Sequence, residues 1–469
     1  PAMLAVSSPG FVVFAGLLVG LWYRLQPKKR WGLMLAASAL FYLSLDWQGY
    51  VILLLCSLLV WQCALRAREK TGWFAGGLLF ALVPLLVLKY YIEGAGGLQA
   101  IFGLRLWQPA ILQPLGLGYF TLQLVSYLVD VRRGRLPAQK SFARVLCFAS
   151  FFLSITQGPF NRYGELMPQL EAPTRWSGER AWQGVMRCFW GYFKKVVVAD
   201  RAAVVVAAAF GNPAAFDRSQ LLFAALLYPF QLYADFSGYT DIVLGVGQML
   251  GLSLPENFRQ PFLSATVKEF WSRWHMSLSR WLKDYVYIPL GGSRCSAARR
   301  DANLVLTFLV SGIWHGAGFT YMLWGFLHGL FQALEDHLPW RRAITKGRAR
   351  LVGIAGTFCI FAFALVIFRA DSLTNAAQYF YGIVHNGGHD VLSNYWELGL
   401  TTRQEQIFLF AGVLILIVSD LLQEFRVPVL KKIGAAPRPV RWAVYEVAIF
   451  AFLLMGYFLG GGGFLYARY

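Results

Sequence analysis

The sequence predicts an all-α, polytopic integral membrane protein, and three observations carry that prediction. Of its 469 residues 57% are hydrophobic and only 14% are charged, where a soluble domain carries about 25% charged residues. Aromatic residues make up 16%, with 17 Trp, 22 Tyr and 38 Phe, which suits interfacial belts and packed helix contacts. Apolar stretches approaching the roughly 20 residues that cross a bilayer recur along the whole chain. Together these exclude an ordinary water-soluble enzyme, a disordered chain and a fibrous one.

Taken in order, the candidate spans are about 10–24, 31–45, 49–65, 73–92, 116–130, 141–157, 183–209, 219–250, 302–320, 321–337, 351–369, 405–423 and 440–459. Some are short or charged, so the expectation is about 10–13 membrane segments, including re-entrant helices around a central funnel or tunnel. Phe11 to Tyr23 has no basic segment before it and no small-residue cleavage site after it, and reads as a retained span. No soluble domain and no internal repeat stand out, so residues 3–469 are read as one membrane domain.

Lys+Arg 43 against Asp+Glu 24 gives a net charge of +19. These cations collect between apolar stretches, where they set topology and face anionic lipid, and not in a module that would bind nucleic acid. The clusters at Arg24–Arg30, Arg66–Lys70, Arg132–Lys140, Arg341–Arg350 and Arg426–Arg441 are expected inside, and 370–404, with Arg403 alone, outside. Both termini are then extracytoplasmic. Lys194, Lys195, Asp200 and Arg201 interrupt apolar runs. Irregular backbone at that depth survives only around protein or a water-filled cavity, so the middle of the chain is expected to build a central cavity. The six cysteines are scattered with no CxxC pair, which predicts neither a disulfide framework nor a zinc site.

An ionisable group inside a membrane is costly and marks function by default. His315 lies deep in an apolar run, in Leu309-Val-Ser-Gly-Ile-Trp-His-Gly-Ala-Gly318. A neutral imidazole there can act as a general base, or be a core histidine bonded to a carbonyl. His275 lies among Trp271, Trp274, Leu278 and Trp281, with Arg273, Arg280 and Lys283 between them. That is a Trp-rich basic helix, readable as an interfacial helix or as a basic mouth for an anionic donor. Asp235 and Asp241 either pair with Arg or hydroxyls to hold a broken helix or line a reaction chamber. His328, His337, His385 and His389 are less informative, and His389 with Asp390 lacks the spacing of a metal site. Gly460–Gly463 form a hinge before an aromatic tail, 464–469, which could fold back into an external opening or fray against lipid.

Several strings resemble the membrane-bound O-acyltransferase (MBOAT) superfamily, above all the bacterial branch that contains alginate O-acetyltransferase and teichoic-acid D-alanyl transferase. They are Tyr119-Phe-Thr-Leu-Gln-Leu-Val-Ser-Tyr-Leu-Val-Asp-Val-Arg-Arg-Gly134, Gln157-Gly-Pro-Phe-Asn-Arg-Tyr163, Phe193-Lys-Lys195, Asp235-Phe-Ser-Gly-Tyr239, Glu256-Asn-Phe258, Trp274-His-Met-Ser-Leu-Ser279 and Trp314-His-Gly316. Pro289-Leu-Gly-Gly292 and Phe368-Arg-Ala-Asp-Ser372 favour the polysaccharide acetyltransferase side. The core of the resemblance spans 116–337.

The resemblance implies an acyltransferase of the bacterial inner membrane that passes an acyl group, foremost acetyl, from a cytoplasmic thioester across the bilayer for O-acylation of an extracytoplasmic polysaccharide. His315 would be the principal catalytic histidine and His275 the second, with Tyr466 of the aromatic tail carrying the acyl group. Trp314, Trp274, Arg273, Asp235 and Ser279 are the expected substrate-binding residues. No tightly bound cofactor and no metal are expected; acetyl-CoA or another acyl thioester is the donor. The expected partners are membrane lipid, an extracytoplasmic acetyltransferase and, indirectly, the polysaccharide. The alternatives are D-alanyl transfer to teichoic acid from a carrier-protein thioester, and a transporter or flippase that needs no activated donor.

Overall fold

The computed structural model describes residues 4–91, 114–387 and 402–458, and no strand occurs among them. The chain begins with α1 (Pro9–Arg24), α2 (Arg30–Leu45), α3 (Trp47–Ala67) and α4 (Thr71–Leu85), the last continued by a π-helical turn, Leu86–Tyr91. Next among the described residues come α5 (Leu117–Arg132), α6 (Phe142–Ala149), α7 (Tyr163–Glu171) and α8 (Gly178–Phe193). A second π segment, Lys194–Ala199, leads into α9 (Asp200–Gly211) and the long α10 (Arg218–Leu250). Two short helices, α11 (Val267–Trp271) and α12 (Met276–Leu282), precede the hairpin of α13 (Ala297–His315) and α14 (Phe319–His337). The remainder is α15 (Ala349–Arg369), α16 (Leu373–His385), α17 (Arg403–Glu424), α18 (Val429–Ala435) and α19 (Arg438–Met455).

Local chemistry sets the boundaries. Ser8 caps α1 by accepting from Phe11 N, with Pro9 in the first turn, and Asp46 caps α3 through Gly49 N at 2.8 Å. Asp217 with Gln220 and Thr402 with Glu405 form reciprocal capping boxes on α10 and α17. Gly251, in the left-handed conformation, ends α10.

Among the described residues four helical segments are long and apolar enough to cross a membrane: Trp47–Ala67, Thr71–Tyr91, Ala349–Arg369 and Arg403–Glu424. Pro9–Arg24 is apolar but shorter. Several other expected spans are helical, yet they are short or carry charges or polar residues that the protein itself buries. α10 is the clearest case. Every residue from Gln231 to Thr240 is buried, so its environment is protein on all sides and not lipid. The expected span at 141–157 is not one helix. α6 has 8 residues, about 12 Å at helical rise, and an irregular segment follows. That segment survives because protein supplies its partners: Phe152 N donates to Ser38 Oγ at 3.2 Å and Phe160 N to Ser277 Oγ at 3.0 Å.

Two buried cores divide the bundle. One gathers α1–α7 with the far end of α10, Leu278 and Trp314; the other gathers α9, the first half of α10, Trp271, Trp274, Trp324 and Phe368. α8 and α10 touch backbone to backbone: a Cβ on Gly191 would lie 2.5 Å from Gly238 O, and one on Gly184 2.6 Å from Gly245 O. A chain of polar contacts ties one end of the bundle together. Arg30 reaches Thr174 O, Arg132 reaches Ala67 O, Arg162 pairs with Asp284, Arg350 with Glu269, and Arg273 with Glu424. Arg30, Arg132 and Arg350 in these contacts belong to the clusters of Arg and Lys noted in the sequence.

Candidate active site

His315 is the last residue of α13 and sits at the tip of the α13–α14 hairpin, whose other ends are joined by His337 Nε2 and Asp301 Oδ2 at 2.6 Å. With 19 residues, α13 carries the imidazole about 28 Å from the start of the helix. The hairpin closes tightly at glycines: a Cβ on Gly312 would lie 2.3 Å from Tyr321 O, and one on Gly325 2.4 Å from Phe308 O. The last carbonyls of α13 lack helical partners and are met from α4 and its π extension. Lys89 Nζ donates to Trp314 O at 3.0 Å and Tyr90 OH to Ile313 O at 2.5 Å. A cation at a helix C-terminus also offsets the helix dipole.

His275 reaches the same place from the opposite side. Its φ of 45° and ψ of 51° put it in the left-handed region, which costs a non-glycine residue about 1–3 kcal/mol unless its surroundings hold it. The extended segment around Asn257 holds it. Arg259 N donates to Arg273 O and Met276 N to Asn257 O, both at 2.9 Å, while Ser277 Oγ donates to Asn257 Oδ1 at 2.5 Å. The imidazole lies between Phe160, at 5.9 Å and near parallel, and Phe236, at 4.8 Å edge to face. Trp314 links the two histidines, its ring 6.4 Å from His275 and 4.8 Å from His315. Trp324 and Phe368 complete the wall, at 5.3 and 5.4 Å from the His315 ring.

Both imidazoles line one cavity with Leu232, Trp271, Trp274, Trp324, Phe361, Leu365 and Phe368. Its volume is about 10 Å³, room for about one water molecule. The expected funnel or tunnel is narrow at this point. His275 is 1% and His315 4% exposed, because aromatic side chains from both cores fill the seam between them.

The structure thus brings together His315, His275, Trp314 and Trp274. Arg273 turns away: its guanidinium grips Glu269 at 2.8 Å and Glu424 at 2.7 Å, tying α11 to α17 at the basic end. Although burial raises the Glu269 carboxyl, hydrogen bonds from Arg350 and Ala265 N and the charge of Arg273 hold it below its ordinary range. Asp235 pairs with Lys195 at 2.9 Å, and Lys195 also meets Asp200 at 2.8 Å. Asp241 meets Lys194 at 2.7 Å and Arg187 at 2.9 Å. Both carboxylates therefore lock α10 to α8 and the π segment, and α10 between them is unbroken. Asp235 reaches the site indirectly, through its neighbour Phe236 on His275. Ser279 is half-buried on α12 and donates its N–H to His275 O at 3.0 Å; the serine wired into the turn is Ser277. Tyr466 and the tail 464–469 lie outside the described residues, as do His389 and Asp390.

Sequence reasoning passed over Lys89 and Trp324 and set His328 aside as less informative. Lys89 was visible as a lone cation in an apolar run. Trp324 and His328 share one face of α14, their rings 5.0 Å apart, and that i, i+4 pairing was the available signal. No group of three or more His, Cys, Asp or Glu that could hold a metal ion occurs among the described residues.

Two histidines line one enclosed cavity, walled by aromatic rings and reached by a helix tip and a strained turn, an arrangement in which an imidazole can move a proton away from bulk water. Comparison with known proteins identifies the family. Residues 48–376 match the model of the membrane-bound O-acyltransferase family. The chain is 35% identical over 417 residues to the probable alginate O-acetylase AlgI of Pseudomonas putida, covering 86% of this chain and 84% of that one. It is 33% identical over 348 residues to a peptidoglycan O-acetyltransferase of Helicobacter pylori, covering 68% and 66% of the two chains. With a teichoic acid D-alanyltransferase of Bacillus subtilis it shares 28% identity over 345 residues, covering 68% and 85%. The order of the motifs, the two histidines they bring together and the matched length lead to one conclusion: this chain is a membrane acyltransferase that belongs to the MBOAT, membrane-bound O-acyltransferase, family.

Proposed function

We propose that the protein takes an acetyl group from a thioester donor at its basic, cytoplasmic end and passes it toward an extracytoplasmic polysaccharide. The observation that carries this is the position of His315: a deeply placed imidazole at a hairpin tip, at the seam between two cores, with His275 facing the same cavity. His315 removes the proton from an oxygen nucleophile. The oxygen attacks the thioester carbonyl carbon, a C–O bond forms, the C–S bond breaks, and the thiolate leaves with the proton held by the imidazole. A positioned base of this kind contributes about 10²–10⁴-fold. His275 shapes the aromatic wall that excludes water from the acyl group.

The nucleophile in this scheme is Tyr466 or a hydroxyl arriving from the extracytoplasmic side. An acyl-tyrosine would pass its group to an extracytoplasmic acetyltransferase and then to a sugar hydroxyl, so that no CoA crosses the bilayer. The cavity of about 10 Å³ does not hold an acyl thioester, so the chemistry includes a step in which wall side chains such as Trp274 and Phe361 swing aside. Acetyl is favoured over D-alanyl by the greater similarity to the alginate O-acetylase than to the D-alanyltransferase. The test is consumption of radiolabelled acetyl-CoA by the purified protein in lipid nanodiscs with its transferase partner. His315→Ala is expected to abolish label transfer while the protein still melts cooperatively. Full activity in that variant would remove the base.

A further inference from the structure

Two buried N–H groups on α14, one in the wall beside His315 and one a turn further along the helix, have a role that the base does not explain. Trp324, 3% exposed, lines the cavity of both histidines, and its indole Nε1 has no hydrogen-bond partner among the described residues. His328 lies one turn further along α14 and is 1% exposed. Trp271 Nε1 donates to His328 Nδ1 at 3.3 Å. An indole N–H can only donate, so Nδ1 is the acceptor and the proton of the neutral ring sits on Nε2. His328 Nε2 likewise has no partner among the described residues. Burying such a donor without a partner is unfavourable, and here two stand on one helix face, rings 5.0 Å apart and Trp324 5.3 Å from the His315 ring.

Resting on the acyl-transfer reading above, we propose that Trp324 Nε1–H and His328 Nε2–H form the oxyanion-binding donors of the reaction. As the nucleophile's oxygen bonds to the carbonyl carbon, the π electron pair moves onto the carbonyl oxygen. The two N–H groups stabilise that charge. When the pair returns, the C–S bond breaks and the thiolate takes the proton from His315. Donors fixed on a helix in a buried site need little reorganisation at the moment of reaction, which is where such groups act most strongly. Trp271 is a positioning residue, since it sets the tautomer that leaves Nε2 protonated.

The test is acetyl-CoA turnover by the full-length protein in nanodiscs, with kcat and KM measured separately and folding checked by thermal melting. Trp324→Phe keeps a ring and removes the donor; His328→Asn keeps a group near Nδ1 and removes the donor at Nε2. Each is expected to lower kcat by roughly 10²–10³ with KM within a few-fold. His328→Gln, which places an amide N–H near the Nε2 position, is expected to recover most of the loss. Wild-type kcat in a folded Trp324→Phe protein, or no difference between His328→Gln and His328→Asn, overturns the assignment. His315→Ala and the wild type run alongside separate the ideas: if His315→Ala is inactive while Trp324→Phe is active, the oxyanion donors are wrong and the base stands; if His315→Ala is active, the base assignment falls; if the wild-type protein turns over no acetyl-CoA, the acyl-transfer reading itself fails.

Discussion

His275 adopts a backbone conformation that non-glycine residues seldom take, and one side chain does most to hold it. Asn257 Oδ1 accepts from both Ser277 N and Ser277 Oγ, and its backbone carbonyl accepts from Met276 N. Asn257→Ala leaves two buried donors unmet, an expected loss of about 1–3 kcal/mol. The turn can then relax toward ordinary φ values, moving the imidazole from between Phe160 and Phe236. Thermal melting and acetyl-CoA turnover in parallel check this: activity should fall further than stability alone explains. Unchanged turnover would show that the position of His275 does not depend on Asn257. The Glu256-Asn-Phe258 string was legible as a motif, but nothing in it says that the asparagine serves a histidine 18 positions away.

At the scale of elements, the α13–α14 hairpin is the device that carries His315 to depth. Its packing depends on Gly312 and Gly325, where a Cβ would fall 2.3 and 2.4 Å from backbone oxygens of the other helix. Neither oxygen can step aside as a flexible side chain could. Gly312→Ala is expected to destabilise by about 1–3 kcal/mol through overpacking and to lower turnover by tilting the hairpin tip. Melting temperature and kcat measured on the same preparation check it; a wild-type melt would mean the helices have slack. Both helices were readable from their apolar runs, and the glycines were readable too. Their pairing across the hairpin was not, since it depends on the rotation of one helix against the other.

At the scale of the whole molecule, the cations gather at one end, joined by Arg132 to Ala67, Arg162 to Asp284 and Arg273 to Glu424. Positively charged segments are unfavourable to translocate, and the proposed direction of transfer places this end on the cytoplasmic side. In a protein whose native cysteines have been replaced, Arg68→Cys and Lys431→Cys are expected to react with an impermeant thiol reagent only from the cytoplasmic side. Asp371→Cys should react from the opposite side. Labelling of Arg68→Cys and Asp371→Cys from the same compartment would invert the proposed direction of transfer. The buried ion pairs of Lys194 and Lys195 also act at this scale, for they hold α10 against the π segment that continues α8.

What the sequence determined by itself was solvent, class and chemistry. Low charge and recurring apolar stretches state that lipid surrounds the protein, and His315 in an apolar run is conspicuous because burying an ionisable group costs so much. The tertiary structure decided which residues meet. Arg273 and Asp235, expected as substrate-binding residues, are found in ion pairs with Glu269, Glu424 and Lys195, while Trp324, which the sequence did not single out, stands 5.3 Å from the His315 ring with His328 one turn further along α14. The reason is geometric. Periodicity records which face of a helix is buried, but a site at a seam between two cores is built from the tips and turns of separate helices, and only their packing fixes how those come together.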